Sequence, residues 1–295
     1  MILEPFKYFA PETLDDAISL LEMYGEEAKI IAGGQSLIPI LKMGVEIPYL
    51  IDIKKIPNLR EIRMYHGDEK NQENLAIGAL ITHSELAMSP EVRKQTPLLS
   101  MTAAGIGHQL IRNRGTIGGS MVHCDPAADL CTTSLVLEAK VRLTSAGGKF
   151  RDVSAEKFFL GPLTTDIRHN EILSEVIFPI KKGKRGYDVE KFTMGHGDFP
   201  LFIASVMMGY SDGRFNDIAI GMGSVSDTAI RDHELESFLS GRNEIGESEI
   251  EEVVRMAMEK YEGQPTGELT REYTTKMIGV CLRKALTKSL AMIRG

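Results

Sequence analysis

Two glycine-rich turns, far apart in sequence, constrain this chain more than any other feature. The first, Ala32-Gly33-Gly34-Gln35-Ser36-Leu37, follows the short run Lys29-Ile30-Ile31. The second lies within IRNRGTIGGSMVHCDPAADL, where Gly115, Gly118 and Gly119 sit among small residues ahead of an acidic turn at Asp125-Pro126. Glycine lets a backbone come close to a ligand because no Cβ intervenes. Successive backbone N–H groups in such turns form a concave nest that suits phosphate. One Gly-Gly turn after an apolar run is ordinarily just a turn. Two strand-like segments that each end in one are both explained by a diphosphate held between them, and on chemistry alone the turn and ligand readings stand level.

Other nucleotide motifs fail on inspection. A dinucleotide fingerprint needs three glycines, for the turn, the pyrophosphate approach and helix–strand packing. Gly105-Ile106-Gly107 and Gly221-Met222-Gly223 both lack the third. A P-loop needs Lys-Ser/Thr after its last glycine, whereas Gly148-Lys149 is followed by Phe150. The 7 histidines are scattered. His108, His123 and His196 lie near the loops of interest but read as satisfied structural residues. Cys124, Cys131 and Cys281 form an odd set without a CxxC pair. That argues against a disulfide framework, a zinc site or an iron–sulfur cluster, and fits a reducing, cytoplasmic setting. A net charge of −7 argues against a nucleic-acid surface. No apolar run approaches membrane-spanning length, and the N-terminus lacks the basic and apolar regions of a signal peptide.

At 295 residues the chain is expected to hold two domains or three small subdomains. A strand at Phe6–Phe9 leads to a helix capped by Thr13, with Ala17, Ile18, Leu21 and Met23 at helical spacing and Gly25 as its stop. A strand at 29–32, a helix at 37–43 with Pro39 in its first turn, and a strand at 49–53 complete a βαβ-like unit that ends near Pro57. Strands are expected at 59–65 and 74–80 around a polar turn at 66–73, with a helix start at Thr82-His83-Ser84-Glu85 and a helix at 98–107. The segment 110–120 carries the second glycine turn. Residues 134–144 read as a strand, paired through Gly147-Gly148 with 149–153, and 171–178 as a half-buried strand. The basic run Lys181–Gly186 reads as a solvated linker. Strands at 187–193, 203–210 and 215–222, then helices at 247–261 and 273–292, give an α+β C-terminal domain. The implied units are 1–57, 58–179 and 187–295.

Taken together, KIIAGGQSL at 29–37, RNRGTIGGS at 112–120 and DPAADL at 125–130 resemble the FAD-binding medium subunit of molybdenum hydroxylases, of the xanthine dehydrogenase and carbon monoxide dehydrogenase type. The likeness extends over nearly the whole chain, through Pro5-Phe6-Lys7-Tyr8, Glu171-Ile172-Leu173, Lys191 and Gly197-Asp198-Phe199. It implies an α+β chain: a two-subdomain, PCMH-type FAD-binding part, then a smaller α+β domain with a three-stranded antiparallel sheet and helices. In such a chain Ile31, Ala32, Gly33, Gly34, Gln35, Ser36 and Leu37 would wrap the FAD pyrophosphate with Lys29 at the entrance. Gly115, Thr116, Ile117, Gly118, Gly119 and Ser120 would form the second wall. Asp129 would accept a hydrogen bond from the cofactor, although a helix N-cap explains it equally well. Ile106 would supply an apolar contact, and Leu173 and Lys191 would lie near the flavin or adenine edge, although Lys191 could equally be a solvated strand-edge charge. Asp198 and Phe199 would approach the isoalloxazine from the C-terminal domain. Several relatives carry Asn where this chain has Ser120.

The resemblance implies an oxidoreductase subunit that takes electrons from a two-cluster [2Fe-2S] small subunit, itself fed by a molybdopterin-binding large subunit, and delivers them through FAD to an acceptor. The assembly would be a dimer of heterotrimers. The protein binds and orients while the flavin carries the redox chemistry. The alternatives are a stand-alone flavin reductase using NAD(P)H on the same fold, or an assembly module that has lost FAD.

Overall fold

The computed structural model describes residues 4–67, 72–195 and 197–295. Residues 1–3, the centre of the expected 66–73 turn and His196 lie outside them.

The first layer is a small parallel sheet. Strands β1 (Lys7–Phe9), β2 (Ala28–Ile31) and β3 (Tyr49–Asp52) pair in the order β1-β3-β2. Helix α1 (Leu14–Tyr24) joins the first two. The Thr13 side chain accepts from Asp16 N, and Gly25 at φ 55° ends it. Its buried face is Ala17, Ile18 and Leu21. Met23, expected on that face, is 70% exposed. Helix α2 (Leu37–Lys42) follows the first glycine turn.

The second layer is antiparallel. Strands β4 (Ile62–His66) and β5 (Glu73–Gly78) precede six helices: α3 (His83–Met88), α4 (Pro90–Gln95), α5 (Pro97–Ala104), α6 (Gln109–Arg112), α7 (Ile117–His123) and α8 (Asp129–Val136). Strands β6 (Lys140–Thr144) and β7 (Phe150–Ser154), helix α9 (Ala155–Phe158), the small pair β8 (Phe159–Gly161) and β9 (Thr164–Thr165), and β10 (Ile172–Pro179) follow. The sheet order is β4-β5-β10-β6-β7. The strand read as half-buried, β10, is therefore central and buried along most of its length.

The third layer holds β11 (Lys184–Thr193), β12 (Pro200–Ser211), β13 (Arg214–Gly223) and β14 (Ile230–Arg231), in that order. The two-residue β14 makes the expected three-stranded sheet four-stranded. Helices α10 (His233–Leu239), α11 (Glu247–Lys260) and α12 (Arg271–Arg294) complete it. One face of this sheet packs on α12 and α10, with α11 against α12, in a core that includes Val206, Ile220, Val254 and Leu282. Met207 and Ala219 on the other face join the core of the second layer.

That second contact is made by α8, whose eight residues are all buried. The segment 134–137, expected to be strand, belongs to this helix and its C-terminal turn. Thr132, Thr133 and Val136 carry the β-branched signature of a strand, but packing on every side overrides it. Thr133 Oγ1 meets Thr102 Oγ1 at 2.9 Å and Ser205 Oγ at 3.4 Å, so α8 bridges α5 and β12. The basic run 181–186 is likewise no free linker. Lys181 pairs with Glu138 and Asp217, Lys182 with Glu73 and Arg185 with Asp217, and the strand β11 has already begun at Lys184.

Candidate functional site

The two glycine turns meet. Segment 79–83 lies along the second turn: His83 N donates to Gly115 O (3.0 Å), Ile117 N to Ile81 O (2.9 Å) and Gly118 N to Ala79 O (3.0 Å). Thr116 caps α7 by accepting from Gly119 N at 3.1 Å. The first turn rests on this clamp. A Cβ on Gly33 would sit 2.1 Å from Arg114 O and 2.9 Å from Gly115 Cα, so only glycine permits the approach. Gly118 is similarly pressed on Ala79, and Gly34 takes φ +74°. By contrast, among the described residues outside its own helix backbone, a Cβ on Gly119 would meet only Thr116 Oγ1.

A cavity of about 1090 Å³ opens over this junction. Its floor is lined by both turns, including Lys29, Gln35 and Ser120, and its sides by Ile106 and Leu173. Asp198 and Phe199 reach it from the C-terminal layer, with Phe199 69% exposed. Their loop is seated by Gly197 (φ +87°), where a Cβ would be 2.2 Å from the His108 ring. Asp129, the first residue of α8, faces the cavity at only 8% exposure. Burial pushes its carboxyl above the usual carboxylate range, and the Lys191 ammonium, 2.9 Å away, opposes that rise. Lys191 also donates to Gly105 O at 2.6 Å. It is thus no solvated edge charge but a tie from β11 to α5 and α8. The N-cap alternative for Asp129 fails, since Ala128 holds that position.

Most of the residues expected from the sequence come together on this cavity. Three do not line it. Ile31 and Ile117 point into the core at 8% and 0% exposure, and Lys191 stands behind Asp129. The amides of the two turns also differ. Those of Ile117, Gly118, Gly119 and Ser120 are already bonded within the protein. Among the described residues, the N–H groups of Gly33, Gly34, Gln35, Ser36 and Leu37 donate to nothing. Sequence reading missed His83, which lines the floor, and Leu163, Thr164 and Thr165 at the rim. The Thr82–Glu85 capping box announces a helix at His83 but not the cavity beside it. Burial raises the Cys124 thiol to about 11, in keeping with an inert buried cysteine. Among the described residues no group of His, Cys, Asp or Glu could hold a metal ion, and no helix is long and apolar enough to cross a membrane.

Residues 4–181 match the family described as the FAD binding domain in molybdopterin dehydrogenase, and residues 189–289 the CO dehydrogenase flavoprotein C-terminal domain. The chain belongs to the FAD-binding medium subunits of molybdenum hydroxylases. It is 33% identical to the carbon monoxide dehydrogenase medium chain of Hydrogenophaga pseudoflava, covering 99% of each, and 33% identical to the 6-hydroxypseudooxynicotine dehydrogenase complex subunit alpha of Paenarthrobacter nicotinovorans, covering 98% and 96%. Its structure superposes on that of the Hydrogenophaga pseudoflava carbon monoxide dehydrogenase with a TM-score of 0.90 over 99% of this chain and 100% of that one. The quinoline 2-oxidoreductase of Pseudomonas putida 86 gives 0.89 at 29% identity over 99% and 100%.

The medium subunits are oxidoreductase components with FAD as cofactor, and the cavity of this one fits that group. The free amides at 33–37 offer partial positive charge to a diphosphate without requiring lysines. Gly119 leaves open space where a side chain would intrude, and apolar Ile106 and Leu173 suit a planar ring.

Proposed function

We propose that this chain is the FAD-binding subunit of a three-subunit molybdenum hydroxylase. It would take electrons from the iron–sulfur clusters of a [2Fe-2S] small subunit, reduced in turn by a molybdopterin-binding large subunit, and pass them to an external acceptor. The observation that carries this reading is the row of undonated backbone N–H groups at 33–37, on the floor of a cavity lined by all three layers. Bound FAD supplies the reversible acceptance and release of electrons; the chain's own residues bind, orient and shield. Ala32 to Leu37 hold the diphosphate, Thr116 to Ser120 form the opposing wall by shape more than by amides, and Asp129, fixed by Lys191, accepts from the cofactor's hydroxyl-bearing portion. Ile106 and Leu173 flank its rings, and Asp198 and Phe199 approach the reactive face. The units would be 1–57, 58–179 and 187–295, acting in the cytoplasm within a dimer of heterotrimers.

Titrating the purified chain with FAD, and FMN as control, tests the cofactor part. Tight FAD binding with weak FMN binding is expected, because FMN lacks the diphosphate and adenosine. Equal affinity for the two would remove the role given to 33–37. Purification from the native source should then yield a complex containing molybdenum and iron. Turnover of NAD(P)H by the isolated flavin-loaded chain, with no partner at all, would instead mark a stand-alone reductase.

A further inference from the structure

Among the described residues, His83 finds no hydrogen-bond partner for its ring, its titration is shifted by burial, and it sits where the two glycine turns join. It is 5% exposed, and its Nδ1 is sealed without a partner. Nε2 also bonds to nothing among the described residues, yet it is not sealed. The residue lines the cavity floor, and Nε2 lies 2.7 Å from where a Cβ on Gly115 would stand. Gly115 Cα in turn lies under Gly33, at the edge of the undonated amides. The ring is held by its burial against the Gly115 backbone, and its own backbone is fixed by the bond from His83 N to Gly115 O and by the Thr82 N-cap of α3.

The tautomer follows from these contacts. A buried N–H without an acceptor costs more than a buried lone pair without a donor. The sealed Nδ1 therefore keeps its lone pair, and the proton resides on Nε2, towards the cavity. Burial, aided by the Arg112 guanidinium, lowers the imidazole to about 4, so the ring is neutral at physiological pH. A neutral, preoriented N–H donor is left beside the phosphate nest.

We propose that His83 donates from Nε2 to a diphosphate oxygen of bound FAD at the seam of the two turns, completing the row of amides supplied by Gly33 to Leu37. This rests on the FAD reading above, and it gives the second turn a polar role that its own spent amides do not.

The test compares the full-length wild-type chain with His83→Leu and His83→Gln, each stripped of flavin. Affinities for FAD and, by competition, for ADP are measured by fluorescence titration, alongside thermal unfolding of the apo chains and 15N NMR of histidine-labelled protein. His83→Leu should weaken both FAD and ADP by about tenfold or more, the loss of one hydrogen bond to a charged acceptor. It should leave the apo melting temperature at pH 7 no lower than wild type, because it removes an unpartnered buried nitrogen. His83→Gln, which still offers an N–H, should recover most of the affinity. In the wild type, FAD should shift the Nε2 resonance and leave it protonated. Wild-type affinity for FAD and ADP in His83→Leu would overturn the assignment. So would a loss of affinity that tracks a fallen melting temperature and is not rescued by Gln, since His83 would then be only structural. A wild-type chain that binds neither FAD nor ADP would remove the FAD reading itself, and this inference with it.

Discussion

Gly33 and Gly119 both border the cavity, yet they are glycine for opposite reasons. A methyl group on Gly33 would press into the Arg114 carbonyl at 2.1 Å, a backbone atom that cannot swing aside. Gly33→Ala should cost about 1–3 kcal/mol of stability and abolish FAD binding by prising the turns apart. Gly119→Ala meets, among the described residues outside its own helix backbone, only the Thr116 hydroxyl at 2.9 Å and faces the cavity; it should melt within a few degrees of wild type yet bind FAD more weakly. Thermal unfolding paired with FAD titration separates the two, and equal loss of stability in both variants would refute the distinction. His83 adds a pH dependence. Its folded value of about 4 lies below an unfolded value of about 6.5. Between those values the unfolded chain binds a proton that the folded chain refuses, so stability falls as pH drops through that window. The contribution from pH 7.5 to pH 5 is about 2 kcal/mol. Urea unfolding of wild type should show it, and His83→Leu should lose that share of the slope; unchanged pH dependence in the variant would count against the buried neutral ring.

At the scale of elements, α8 decides how the layers come together. Gly221 on β13 lies against it, and a Cβ there would be 2.7 Å from Val136 Cγ2 and 2.9 Å from Thr132 O. The Gly221-Met222-Gly223 segment, which fails as a nucleotide fingerprint, is thus a packing groove for this helix. Gly221→Ala should push α8 outward, costing about 1–3 kcal/mol, and weaken FAD binding at a distance because Asp129 begins that helix. A destabilised variant with intact FAD affinity would show that Asp129 is not positioned through α8. The same helix explains what could and could not be read from the sequence. Turns such as 32–37 are legible because glycine is demanded locally, and α1 because its cap, period and stop agree. A helix buried on every side has no amphipathic period, and its threonines and valine favour the strand reading. Likewise, the Ile117 and Gly118 amides of the second turn are spent on segment 79–83, a pairing between distant parts of the chain that no local pattern contains. His83 was hidden for the same reason: its chemistry depends on Gly115, not on its neighbours in sequence.

Across the whole molecule, the C-terminal layer borders the cavity at 197–200, and the Lys191–Asp129 pair ties that layer to the N-terminal ones beside the site. Asp129 is 8% exposed while the Lys191 side chain retains 24%, so solvent screens the pair only from one side. Removing one partner from such a pair leaves an uncompensated buried charge, whereas removing both charges relieves it. Lys191→Met should therefore destabilise the chain by roughly 2–4 kcal/mol at neutral pH, with Asp129 driven further towards its protonated form. Adding Asp129→Asn should restore part of that loss, although Gly105 O keeps no partner in its place. The loss in Lys191→Met should also persist in molar salt, unlike that of the exposed Arg255–Glu252 pair on α11, which screening erases. FAD affinity should part from stability here. The double variant recovers the fold but not the cofactor, because the asparagine amide lacks the charge that Asp129 presents to a hydroxyl donor. A double-mutant cycle read in both urea unfolding and FAD titration measures the two couplings separately. Additive losses in stability would mean that the ammonium and the carboxylate do not hold the layers together, whatever their separation of 2.9 Å.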